Sequence, residues 1–210
     1  MLWKVCGMRS AENIKAVAAL KPDFMGFIFY PKSPRHVEDL EAVVDHFRYL
    51  DEETYTVAVM VNPTIAEAGR IIKTRSFDFL QLHGHETPEF CASIKAKGVK
   101  VIKNFAMDEN FDPTQLERYR HCVDLFLFDT KTKAHGGSGE TFDWSLLEQL
   151  PSDLPYLLSG GLSLKNIKRA KRLKAPQPQG IDVNSRFEIE PALKDVGKLK
   201  DLKRILKEKI

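Results

Sequence analysis

Eight short runs, often apolar on consecutive positions, alternate with eight segments of helical spacing, and this alternation limits the possible folds more than any other feature of the chain. The runs span 2–6, 24–30, 56–61, 77–82, 99–103, 123–129, 155–159 and 180–184, and they are rich in Val, Ile, Phe and Leu. Apolar residues on consecutive positions, without the polar alternation of a half-exposed strand, indicate parallel strands covered on both faces. The intervening segments are 11–20, 37–50, 65–74, 88–97, 113–120, 144–150, 164–173 and 196–210. In the second, Val37, Leu40, Val43, Val44 and Phe47 share one helical face, and Ser10 stands where it can cap the first.

Two architectures use such a repeat: an open doubly wound sheet and a closed ring of eight units. The 210 residues give about 26 per unit, close to the lower end (~200 residues) of barrels that close. With no long insertion, closure is favoured because it leaves no edge strand. The proline-containing stretch 174–179 is short enough to be a loop before the last strand. The expected fold is therefore α/β, a single-domain (β/α)8 TIM barrel over residues 1–210 with a parallel eight-stranded sheet.

Composition excludes some functions. The net charge of +3 is too small to imply nucleic acid, and no apolar run approaches the ~18 residues that cross a bilayer. The N-terminus reads as a strand, not as a basic region followed by an apolar signal segment. Three widely spaced cysteines, Cys6, Cys91 and Cys122, suit a reducing compartment, so a cytoplasmic protein is expected.

In barrels of this kind the chemistry sits at the C-terminal ends of the strands. Those ends carry Cys6-Gly7, the stretch from Tyr30 to Arg35, Gln81-Leu82-His83-Gly84, Asn104, Asp129-Thr130, Ser159-Gly160-Gly161 and Asn184-Ser185-Arg186. Cys6 can act as a base only as the thiolate, a minority form at pH 7 for a reference pKa of ~8.5, and the alternative is a small buried hydrophobe. Asp129 ends an apolar run. Burial there would raise its pKa and let it donate a proton; otherwise it caps the next turn. Ser159-Gly160-Gly161 before a helical segment suits a phosphate, which barrels commonly hold near the loops after strands seven and eight.

Arg35 can hold a carboxylate by two parallel hydrogen bonds, or be an ordinary surface arginine. Gly136-Gly137-Ser138-Gly139 could close over a ligand or simply connect two elements. His83-Gly84-His85 lacks a third metal ligand, so no metal is expected. The basic stretch 194–209 carries Val196, Leu199, Leu202, Ile205 and Leu206 at helical spacing and reads as an outer helix. A base, an acid and an anion cradle on strand ends together suggest a phosphosugar enzyme.

These stretches, in this order, resemble the phosphoribosylanthranilate isomerases of tryptophan biosynthesis over essentially the whole chain. The resemblance rests on Lys4-Val5-Cys6-Gly7, Gly26-Phe27-Ile28-Phe29, Pro31-Lys32-Ser33-Pro34-Arg35, Gln81-Leu82-His83-Gly84, Phe128-Asp129-Thr130, Gly136-Gly137-Ser138-Gly139 with Phe142-Asp143-Trp144, Leu158-Ser159-Gly160-Gly161-Leu162 and Ile181-Asp182-Val183-Asn184-Ser185. It implies a (β/α)8 barrel that performs an Amadori rearrangement without metal or cofactor. The implied general acid is Asp129 and the implied general base is Cys6. Arg35 would bind the anthranilate carboxylate, and Gln81 and His83 would be further substrate contacts. Gly160, Gly161, Asn184 and Ser185 would hold the phosphate. The expected partner is a small phosphorylated aminosugar, with no nucleic acid or membrane and a monomeric or homodimeric state.

One departure stands out. Where the family usually has glycine then valine after Asn184-Ser185, this chain has Arg186 and Phe187. Either a backbone contact to phosphate is lost, or Arg186 supplies charge in its place. The alternatives to the isomerase are another phosphosugar barrel isomerase or epimerase and a non-catalytic binder of a phosphorylated ligand. A metal-dependent epimerase would need His and carboxylate ligands on several strand ends, where only His83 is suitably placed.

Overall fold

The structure is a computed structural model that describes residues 1–130, 142–173 and 176–208. All eight apolar runs form strands: β1 (Leu2–Val5), β2 (Phe24–Ile28), β3 (Tyr55–Met60), β4 (Phe79–Leu82), β5 (Lys100–Met107), β6 (Leu125–Thr130), β7 (Tyr156–Leu158) and β8 (Gly180–Val183). They pair in parallel in chain order, and β1 also pairs with β8, so the sheet is a closed barrel. The open doubly wound sheet is excluded by that last pairing, in which Leu2, Trp3, Lys4 and Val5 align with Gly180, Ile181, Asp182 and Val183.

Closure divides the strand side chains between two separate cores. Phe24, Val57, Val59, Phe79, Ile102, Leu125, Leu127 and Leu157 pack together with Cys6 inside the barrel. Their strand neighbours Met25, Phe27, Ala58, Leu80, Val101, Phe126, Tyr156 and Ile181 belong to the larger core between the barrel and its outer layer. Most strands are thus apolar on both faces, which is why the runs show little alternation.

The outer elements are shorter than the periodicity suggested. The α-helices are α1 (Ala11–Ala18), α2 (Leu40–Asp45), α3 (Ile65–Lys73), α4 (Pro88–Lys95), α5 (Ile167–Lys171) and α6 (Val196–Lys207). Thr64 caps α3 with a reciprocal Glu67 bond, and Asp39, Thr87 and Asp195 accept from the first turns of α2, α4 and α6. Ser10 occupies the cap position of α1, but its side chain makes no capping hydrogen bond. Residues 36 and 37 do not join α2. They extend the strand side, with His36 bridging Ile28 and the Val37 N–H donating to the Ile28 carbonyl. Segments 113–120 and 144–150 tighten into 3₁₀ turns at Pro113–Tyr119 and Trp144–Gln149.

One element was not anticipated. After β8 a 3₁₀ turn (Ser185–Phe187) leads into an antiparallel hairpin of β9 (Glu188–Glu190) and β10 (Leu193–Lys194). Phe187 is the pivot of this segment. Its N–H donates to the Asn184 carbonyl and its ring is fully buried in the outer core. Replacing Phe187 with Ala should cost about 3–5 kcal/mol of stability, read as a shift of the urea midpoint. A loss under 1 kcal/mol would show that the ring does not anchor the hairpin.

Candidate active site

Cys6 follows β1 directly, and its N–H donates to the Val183 carbonyl of β8 at 3.0 Å. A Cβ built on Gly7 would meet Arg35 Cδ at 2.7 Å and Asn184 Oδ1 at 2.9 Å, so both side chains lie directly over the residue after the thiol. Asp129 stands near the end of β6, three strands from β1 around the ring. Behind it the apolar strand leaves little water, and burial raises its carboxyl to about 7, with the Asp182 charge adding to the rise. The Thr130 N–H, which donates to Oδ1 at 2.7 Å, Lys4 and Ser159 work in the opposite direction without cancelling it. The group therefore carries a proton for much of the time at neutral pH.

His83 brings an imidazole ring to this carboxyl. Its Nε2 lies 3.7 Å from Asp129 Oδ2, and its Nδ1 lies 2.9 Å from the Gln81 amide nitrogen, which fixes the ring. The loop carrying His83 is itself pinned from below. The buried Lys103 Nζ donates to the carbonyls of Leu82, Gly84 and Asn104 and pairs with Glu86 at 3.0 Å. Glu86 in turn accepts from the backbone N–H groups of Asn62 and Gly84.

Gly160 is required for a steric reason. It has φ +87°, and a Cβ there would lie 2.3 Å from Thr130 Oγ1, 2.7 Å from Thr130 N and 2.9 Å from Asp129 Oδ1. The glycine backbone therefore presses against the acid, and Gly161 follows with φ +58°. Asn166 holds this turn through its amide donation to the Gly161 carbonyl and its acceptance of the Ser163 N–H. The loop after β8, with Asn184, Ser185 and Arg186, lies on the adjacent strand. Arg186 is exposed there, while Phe187 turns into the core, so the two departures from the family pattern have different surroundings.

Arg35 differs from the simple expectation. Its Nε bonds both Glu188 oxygens, at 2.9 and 3.1 Å, and its Nη2 bonds Oε2 at 2.7 Å, so a protein carboxylate already occupies one fork of the guanidinium. A ligand carboxylate would therefore meet the remaining Nη1 edge. The buried Lys194 of β10 also pairs with Glu188 and bonds Asn184 Oδ1 at 2.7 Å. Burial works to raise the Glu188 carboxyl, but Arg35 and Lys194 outweigh it and hold Glu188 below the usual carboxylate range.

Sequence reading missed four groups here: Lys4, Asp182, Glu188 and Lys194. The signal for the first two was available, because each is a charge placed inside an otherwise apolar strand run. The other two act only through contacts made across the fold. Gly136-Gly137-Ser138-Gly139 lies outside the described residues. Among the described residues, no group of three or more His, Cys, Asp and Glu side chains is placed to hold a metal ion. No described helix is long and apolar enough to cross a membrane.

The Asp129 carboxyl should titrate with a midpoint near 7, which a carbon-detected NMR titration of selectively labelled protein measures directly. A midpoint below 5 would contradict its desolvated setting.

Comparison with known proteins places this geometry in a family. A model of the family described as N-(5'phosphoribosyl)anthranilate (PRA) isomerase matches residues 3–204. An N-(5'-phosphoribosyl)anthranilate isomerase of Parabacteroides distasonis is 43% identical over 203 residues, covering 96% of this chain and 91% of that protein. The crystal structure of the phosphoribosyl anthranilate isomerase of Thermus thermophilus superposes with a TM-score of 0.87 at 26% identity, covering 98% of each chain. Another phosphoribosyl anthranilate isomerase was solved in complex with reduced 1-(o-carboxyphenylamino)-1-deoxyribulose 5-phosphate. It superposes with a TM-score of 0.80 at 28% identity, covering 99% of this chain and 98% of that one. The chain belongs to the N-(5'-phosphoribosyl)anthranilate isomerase family.

Proposed function

We propose that this chain catalyses the Amadori rearrangement of N-(5-phosphoribosyl)anthranilate to 1-(2-carboxyphenylamino)-1-deoxyribulose 5-phosphate, as an isomerase of tryptophan biosynthesis. The observation that carries the reading is a buried carboxyl, Asp129, pushed up to about 7 at the barrel mouth, on a strand three steps from a buried thiol. A sugar ring between the two can be protonated on one side and deprotonated on the other.

In this mechanism Asp129 gives its proton to the furanose ring oxygen, and the ring opens to a Schiff base between C1 and the anthranilate nitrogen. The Cys6 thiolate then removes the proton from sugar C2. The resulting enolamine tautomerises to the ketone, so atoms are conserved and no redox partner is needed. Arg35, through its Nη1 edge, holds the anthranilate carboxylate. The turn at Gly160 and Gly161, with Asn184, Ser185 and the charge of Arg186, holds the phosphate. Gln81 and His83 line the side of the site next to the acid, and the three unpaired cysteines support a cytoplasmic setting.

Burial pushes the Cys6 thiol up from its ordinary value, against the pull of Lys4 and Lys194. The productive form has the proton on Asp129 and none on Cys6, so it is a minority form with a distinctive pH dependence. Below about 7 Asp129 is protonated and activity falls as the thiolate is lost. Between that point and the thiol pKa, the gain in thiolate and the loss of acid cancel. Above the thiol pKa only the loss remains. A plot of log kcat/KM against pH should therefore be level over the middle, with the lower limb near 7. A profile that peaks sharply would place the two pKa values close together and contradict the rise of the thiol.

The assignment is tested by the decay of phosphoribosylanthranilate fluorescence, with chelator present, for wild type, Cys6→Ala and Asp129→Asn. Wild type should consume the substrate rapidly, and each variant should lose ~100-fold or more in kcat. An inactive, folded wild type would exclude the reaction, and an unaffected variant would exclude that residue's role.

A further inference from the structure

Beneath the mouth, inside the barrel, a charged pair sits where apolar packing would be expected. Lys4 and Asp182 are register partners on β1 and β8, at 0% and 6% exposure, with Nζ 3.0 Å from Oδ2. The layer around them is built from Phe24, Val57, Phe79 and other apolar side chains. Removing two ions from water is costly, and a buried pair of this kind is commonly no more stable than hydrophobic residues of equal volume. Stability therefore does not explain it.

The position of the ammonium does. A Cβ on Gly26 of β2 would lie 2.9 Å from Cys6 Sγ and 3.2 Å from Lys4 Nζ, so thiol and ammonium converge over this bare backbone position. Asp182 uses Oδ2 for Lys4, and its buried Oδ1 has no hydrogen-bond partner. We propose that Lys4 is a positioning residue for the reaction, an ammonium group clamped by Asp182 that supplies the counter-charge for the Cys6 thiolate. The inference rests on the reading of Cys6 as the base.

The charges facing the thiol come from three elements: Lys4 from β1, Asp182 from β8 and Lys194 from β10. β2 contributes Gly26, β3 contributes Val57 and Val59, and Asp129 stands opposite on β6. Burial alone would strip Lys4 of its proton, but Asp182 and then Cys6 outweigh it and keep the ammonium charged. Of the groups that oppose the rise of the thiol pKa, Lys4 is the strongest, ahead of Lys194. Lys194 is already shared with Glu188, as is Arg35. With Asp129 protonated and the others ionised, Lys4, Arg35 and Lys194 face Asp182 and Glu188, one positive charge in excess, although burial works against both the Lys194 ammonium and the Asp182 carboxylate. Ionising Cys6 makes the cluster neutral. The C2 proton ends on Sγ, and Lys4 keeps its own protons throughout.

The test uses Lys4→Met, an uncharged side chain of similar reach, and Lys4→Met/Asp182→Asn, which leaves no unpaired ion in the barrel if the single variant misfolds. Iodoacetamide alkylation of the Cys6 peptide, followed by mass spectrometry across pH, reports the thiol midpoint independently of activity. In folded protein that midpoint should rise by about 1–3 units in Lys4→Met, and it should lie higher in the double variant than in Asp182→Asn, whose lost carboxylate alone lowers the thiol. In Lys4→Met kcat should fall ~10-fold or more, KM should stay within about threefold, and the gap to wild type should narrow above the wild-type thiol pKa, where only the wild type declines. An unmoved midpoint in folded Lys4→Met, or a double variant no higher than Asp182→Asn, would overturn the proposal even where Cys6→Ala is inactive. An active Cys6→Ala would instead remove the base assignment, leaving the thiol midpoint to report the electrostatic coupling alone.

Discussion

The pairing of β1 with β8 is the constraint on which the rest of the molecule depends. It makes neighbours of residues near position 4 and position 182, and it turns an eight-stranded ribbon into two nested cores. The closing seam also carries the charged cluster. Lys4 and Asp182 face each other across it, the Cys6 N–H bonds the Val183 carbonyl over it, and Asn184 with the following hairpin folds back above it. A sheet left open between these strands would expose Lys4 and Asp182 to water and weaken their hold on each other. The fold is therefore part of the electrostatics of the site as well as its frame.

The mouth combines two kinds of environment. At β6 burial outweighs the few polar contacts, and desolvation lifts Asp129 toward neutrality. At the seam between β1 and β8, burial is as complete, but Arg35, Lys194 and Lys4 are gathered against two carboxylates. The first environment favours the neutral form of an acid, and the second limits the cost of an anion. A proposed acid at one side is thus held near neutrality, while at the other the charges limit, without removing, the rise that burial imposes on a proposed base.

How much of this was legible in the sequence depends on the range of the interaction. The strands were readable because being covered on both faces is written locally, as consecutive apolar residues. The helices were less so. Segment 37–50 has a clean helical stripe, yet its first residues continue the strand and its end tightens into a 3₁₀ turn (His46–Tyr49). Val37 is buried either way, so periodicity could not distinguish the two. The hairpin escaped notice because its strands are very short and its turn places Ala192, not a glycine, at φ +69°. The Arg35–Glu188 fork joins residues 153 positions apart, and no local pattern announces it. Lys4 and Asp182 are the instructive case. Each breaks an apolar strand run, but only closure shows that the two breaks face each other inside the barrel.

The departure at Arg186 and Phe187 can be understood from the same geometry. A glycine in that turn leaves space and backbone freedom, whereas Phe187 fills the outer core and its N–H is spent on the Asn184 carbonyl. The turn is therefore tied down by packing. That rigidity helps to hold Asn184, which bonds Lys194, which pairs with Glu188, which in turn grips Arg35. Each link fixes the next at low exposure, so a buried aromatic ring behind β8 contributes to the placement of a guanidinium supplied by the loop after β2. Because Glu188 is shared by two cations, the surplus charge lies on the side of the mouth where the Nη1 edge of Arg35, proposed to bind the substrate carboxylate, opens. An anionic ligand entering there meets positive charge that the protein has left only partly neutralised.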